Sequence, residues 1–152
     1  MNFTQKTRVG LAILVCCFAF AAAQERKLTF EQLPPAVQKT AKAESDGATV
    51  RGYSSEVENG RTEYEAQLTI DGHKRDVSMD ASGKVLERED EVKFDSLPQA
   101  VRDGLRKQAV AGKIERVEKV TSDKRTIYEA MVRDRGKTHE IAVTAAGEKA
   151  RD

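Results

Sequence analysis

The chain is written twice. Phe30, Leu33, Pro34, Ala36 and Val37 reappear as Phe94, Leu97, Pro98, Ala100 and Val101, and Tyr64-Glu65-Ala66 reappears as Tyr128-Glu129-Ala130. Gly72 and Gly83 return as Gly136 and Gly147, and every pair stands 64 residues apart. A constant offset through helix-like, strand-like and turn-like segments points to a duplicated structural unit. The two copies align from Phe30 to Asp152 without a gap.

Each copy opens with a helix. Ser96-Leu97-Pro98-Gln99 has the pattern of a capping box, and Leu97, Val101 and Leu105 make one apolar stripe. Copy one carries the same stripe as Leu33, Val37 and Ala41, with Gln32 in place of the capping serine. Gly47 and Gly112 are the expected helix ends.

Three strands follow. Tyr64, Ala66, Leu68 and Ile70 alternate with Glu63, Glu65, Gln67 and Thr69, the pattern of a half-buried strand. Glu58-Asn59-Gly60 before it reads as a tight hairpin, matched by Ser122-Asp123-Lys124; Asp71-Gly72 after it is matched by Arg135-Gly136. Val77 and Met79, matched by Ile141 and Val143, face inward on the third strand. In the first strand Val50 and Tyr53, matched by Ile114 and Val117, are spaced by three, which predicts a bulge. Lys84-Val85-Leu86 extends to a short last strand, and the acidic run Glu87–Glu91 reads as a solvated linker. The expected fold is α+β: two tandem α-β-β-β repeats forming one antiparallel sheet, with both helices packed on one face. Six strands are well supported and eight are allowed.

The N-terminus reads as an export signal. Lys6 and Arg8 precede an apolar run from Val9 to Phe20, and Ala21-Ala22-Ala23 offers a cleavage site. The stretch from Val9 to Ala23 has 15 residues, short of the ~20 that span a bilayer. Cys16 and Cys17, the only cysteines, would leave with it, so no disulfide is expected in a mature chain of 129 residues. The division is then 1–23 signal peptide, 24–91 first repeat with the acidic linker, and 92–152 second repeat. A periplasmic or secreted location follows.

Charge is split between the halves. Residues 24–91 carry 10 basic and 15 acidic side chains, and residues 92–152 carry 14 and 10. The near-balance argues against a nucleic-acid binder, which needs a dominant basic patch. Complementary halves that dock, or a polar molecule presenting different charge at its two ends, both fit.

The order Leu-Pro at a helix start, Ala-Val next, Tyr-Glu-Ala in the middle strand and an Asp-x-x-Gly-Lys turn resembles PepSY-like domains, and in particular the tandem group related to β-lactamase-inhibitor proteins. The anchors are Leu33, Pro34, Val37, Tyr64, Asp80, Gly83 and Lys84, then Leu97, Pro98, Val101, Tyr128 and Gly147. Thr144 and Glu148 depart from the turn motif in the second copy. The resemblance implies an exported, non-catalytic binding module, an inhibitor or modulator of an envelope or extracellular enzyme. It carries no functional residue across.

Candidate chemistry is sparse. His73 and His139 are not equivalent positions and have no second ligand at metal spacing, so no metal is expected. With no thiol in the mature chain, no Gly-x-Ser-x-Gly elbow and no phosphate loop, neither an enzyme nor a cofactor is expected. Glu63, Glu65 and Glu129, on the polar phase of the middle strands, read as glutamates facing water. Ile127 and Met131 stand on the polar phase where copy one has Glu63 and Gln67, which predicts a small outward apolar spot, or a twist that buries both. That spot and the hairpin Glu58, Asn59 and Gly60 are the candidate contacts for an unidentified protein partner. No nucleic-acid partner is expected, and no membrane contact after cleavage. A monomer or weak dimer is expected. The competing functional reading is a small-ligand or cation-sensing periplasmic protein, and a structural role would show as self-association through sheet edges.

Overall fold

The computed structural model describes residues 25–58 and 60–150, so the expected signal peptide and Asn59 lie outside the described residues. The chain forms β1 (Arg26–Leu28), α1 (Pro35–Glu44), β2 (Thr49–Glu58), β3 (Arg61–Ile70), β4 (His73–Asp80), β5 (Val85–Val92), α2 (Gln99–Ala109), β6 (Lys113–Ser122), β7 (Thr126–Asp134) and β8 (Lys137–Thr144). A short 3-10 turn precedes each α-helix, at Phe30–Gln32 and Phe94–Ser96. All eight strands join one antiparallel sheet in sequence order. The chain is α+β, with an open sheet and two helices.

Short hairpins set the register. The expected turns at Asp71-Gly72 and Arg135-Gly136 adopt left-handed backbone at both residues, which suits two-residue connections. The expected bulges fall between Val50 and Gly52 and between Ile114 and Arg116.

Both helices cover the same side of the sheet. Leu33, Val37 and Ala41 pack on Ala66, Leu68, Val77 and Met79; Leu97, Val101 and Leu105 pack on Val117, Ala130 and Val143. Helix and sheet approach closely where each strand turn meets a helix start. An added Cβ at Gly83 would lie 2.5 Å from the Ala36 carbonyl oxygen, and one at Gly147 would fall on that of Ala100. No side chain fits there.

Between the two apolar clusters runs β5, and here the sequence reading is corrected. The run Glu87–Glu91 is not a linker but most of an eight-residue strand hydrogen-bonded to β4 and β6. On the helix side Arg88 reaches Glu44 of α1 through two hydrogen bonds (2.6 and 3.1 Å), and Asp90 pairs with Arg75. Arg88 thus ties the central strand to α1.

Two local expectations also change. Ser96 does not cap α2: its hydroxyl donates to the Lys93 carbonyl (2.7 Å), and the helix begins only after Pro98. A residue before proline is driven to extended backbone, and Leu97 adopts it (φ −71, ψ 152). The reciprocal bond of a capping box instead forms in the first half, where the Thr29 N–H donates to Gln32 Oε1 (2.8 Å). At the end of α2 the left-handed residue is Val110, not Gly112. Gly112 is needed for space, because a Cβ would collide with Val132.

Candidate functional site

Alternation along β7 decides where the candidate residues lie. Tyr128 and Ala130 pack beneath α2, so Ile127, Glu129 and Met131 point to the helix-free side. Ile127 pairs with Val120 and Met131 with Arg116. Ile127 is on the expected side but is not an exposed spot: it is 5% exposed and Val120 only 3%. Met131 is half-buried. Neither Val120 nor Ile127 belongs to the clusters under the helices, so the open side holds a small apolar patch of its own. The hairpin candidates stand apart from it. Gly60 takes left-handed backbone and Glu58 pairs with Arg61, but β3 lies four strands from β7, or ~19 Å at the usual strand spacing.

The register assembles something the linear sequence hides. Gln67, Asp76, Glu89, Val120, Ile127 and Thr144 form one row across the open face. In the next row Glu91, Glu118, Glu129 and Ala142 are directly opposite one another. Like charges opposed across strands repel. Glu87, Glu89, Glu118 and Glu129 therefore surround the Val120–Ile127 patch.

The few cations on this face only partly offset them. Arg51 pairs with Asp76, and Arg116 Nε lies 3.3 Å from Glu118 Oε1. Burial raises the carboxyl of Asp76 despite Arg51, and that of Glu118 despite Arg116. Glu89 is pushed up to about 7, first by burial and then by the charges of Glu118, Glu87, Glu129 and Asp76. Glu129 also reaches about 7, by burial and then by Glu140, Glu87 and Glu118, against the opposing pull of Arg125. Glu65 is raised by burial while accepting from Gln67 Nε2 at 2.7 Å. The expectation that Glu65 and Glu129 merely face water is thus corrected: desolvation and crowding favour their neutral forms.

A groove of about 1270 Å³ runs along β7 and β8, with Arg125, Ile127, Glu129, Glu140 and Thr144 among its walls. Among the described residues no group of three or more His, Cys, Asp or Glu side chains is arranged to hold a metal ion. No helix among them is long and apolar enough to cross a membrane.

No protein-family model and no curated protein sequence matches the chain. Several solved structures do. A protein of Bacteroides eggerthii described as periplasmic superposes with a TM-score of 0.65 at 19% identity, covering 78% of this chain and 86% of its own. A DUF2874 family protein of Bacteroides uniformis gives 0.64 at 21%, with the same two coverages. A BLIP-like protein of Bacteroides fragilis gives 0.58 at 22%, covering 76% and 82%. At these identities the likeness shows the fold alone.

Proposed function

We propose that this chain is an exported, non-catalytic binding module of the periplasm, a duplicated PepSY-like unit that docks another protein on its open sheet face. An inhibitor or modulator of an envelope enzyme is the role that best fits such a module. The observation that carries this reading is the bare side of an eight-stranded sheet. Seven strand spacings and eight-residue strands span ~34 by ~26 Å, or ~900 Å², against the ~800 Å² that each partner contributes to a standard interface. A sheet side of that size with no helix on it is rarely left idle in a small domain. Support for the location and the inhibitor-like character comes from the fold shared with a periplasmic protein and a BLIP-like protein. The offset of 64 residues, kept by the ends of β2 and β6 and of β4 and β8, supports the duplication.

Photocrosslinking in the envelope tests the docking face. A photoreactive side chain at Gln67, Lys74 or Met131 should give one shared adduct, whereas the same group at Lys39 or Lys107 on the helices should give none. Adducts from the helix positions alone, or none at any position, would contradict the reading.

A further inference from the structure

We infer that the partner meets the open face with lysine or arginine, one such side chain lying over Val120 and Ile127 with its cationic head among Glu87, Glu89, Glu118 and Glu129. This rests on the docking-face reading above and names the chemistry of what docks. The argument is one of complementarity. Asp76 opposite Glu89, and Glu91 opposite Glu118 opposite Glu129, place like charges at the closest cross-strand positions. Such pairs are destabilising, and a sheet built only to persist has no use for them. A cation from outside converts each repulsion into an attraction.

The apolar patch narrows the choice of cation. Lysine and arginine join an aliphatic stem to a charged head. A stem fits Val120 and Ile127, buried in the middle of the face, and a head fits the surrounding carboxylates. A hydrated divalent ion would use only the rim. The groove along β7 and β8 is also larger than the ~300–1,000 Å³ of ordinary small-ligand pockets, which favours a protein surface.

Proton release follows as a consequence. Glu89 faces Asp76 on β4, Glu118 on β6 and Glu87 and Glu91 on its own strand; Glu129 faces Glu118 on β6 and Glu140 on β8, with Arg125 as the nearby base. Both carboxyls titrate near neutrality. A bound cation favours their charged forms, so binding expels protons and weakens as pH falls below 7.

The test uses a lysine decapeptide and its fully acetylated form as probes of the exported domain. Isothermal titration in two buffers of different ionisation enthalpy counts the protons released, and amide shift mapping locates the contact. The expected results are shifts centred on β5, β6 and β7, proton release near pH 7, and affinity falling about tenfold per expelled proton for each pH unit lost. The double substitution Glu89→Gln with Glu129→Gln should abolish the release and weaken binding about tenfold. The acetylated peptide should not bind. Shifts elsewhere, equal binding by the double variant or the acetylated peptide, or displacement of the lysine peptide by millimolar calcium would overturn the inference. If open-face crosslinks still form in that case, the docking face stands and only the cationic partner falls; crosslinks from the helices would remove both.

Discussion

The two sides of one sheet are made from the same strands and obey opposite rules. On the covered side, Leu68, Val77, Met79, Val132 and Val143 are fully buried, and the helices add Val37, Val101 and Leu105. The charged pairs on that side have partners of opposite sign: Arg88 with Glu44, Asp90 with Arg75. The open side places carboxylates against carboxylates around a two-residue apolar patch. One side is arranged for stability, and the other gives some of it up. That sacrifice is the mark of a surface completed by something else.

Removing a side chain from the covered side should have the largest effect. Leu105→Ala leaves a hole beneath α2 where Leu105 is fully buried, and about 3 kcal/mol of stability should go with it in urea unfolding. A loss below ~1 kcal/mol would mean that α2 does not seal this side.

The open side should respond in the opposite direction. Glu89→Gln with Glu129→Gln removes two crowded charges and should raise stability at about pH 8 by ~1 kcal/mol, a figure already reduced for their half-exposed positions. The sign follows from linkage. Both folded-state values, about 7, stand above the ordinary 4.5, so the folded chain holds more protons than the unfolded one between those limits. Stability of the natural protein should therefore rise as pH falls from about 8 towards 5, and the double variant should flatten that slope. A thermal melt series that falls on acidification in this window would contradict the contrast between the sides.

Across β5 the comparison is finer. Glu44 is held below its ordinary range, chiefly by its hydrogen bonds from Arg88. Its contribution is present above pH 4.5 and is lost as pH falls through the lowered value. A double-mutant cycle on Glu44→Gln and Arg88→Met should give a coupling of about 0.5–1 kcal/mol at neutral pH. Disappearance of that coupling in strong acid would confirm its ionic origin.

The smallest effect belongs to neither side. Val110 combines a left-handed backbone (φ 54) with 88% exposure at the end of α2. A β-branched residue is strained in that region. Val110→Gly should raise stability by ~0.5 kcal/mol in equilibrium unfolding; a decrease would mean that Val110 has contacts on which α2 depends.

The covered side was legible from the sequence because burial enforces alternation. Tyr64, Ala66 and Leu68 announced their strand, and the 64-residue offset announced its counterpart. The open side was not, because its organisation lies in register between strands rather than in spacing along one. β5 shows why. Arg88 and Asp90 face the helices and Glu87, Glu89 and Glu91 face away, so both phases are charged and no alternation marks the strand. Its acidity looked like solvent exposure. Likewise Ile127 was put on the correct side, but its burial depends on neighbours such as Val120, which pairs with it from another strand. The signal that could have been used was the surplus of carboxylates on one phase of β3, β5 and β7 taken together. The capping box at Ser96 failed because Pro98 fixes the backbone before a side-chain bond can choose.

The contrast between the two sides is tested most directly by NMR titration of the glutamate side-chain carboxyls in the free protein. Glu89 and Glu129 should show midpoints near 7, while Glu44 should titrate below 4.5. If Glu89 and Glu129 instead titrate with ordinary midpoints near 4.5, the open face is merely a solvated surface, and the reason to seek a cationic partner there disappears.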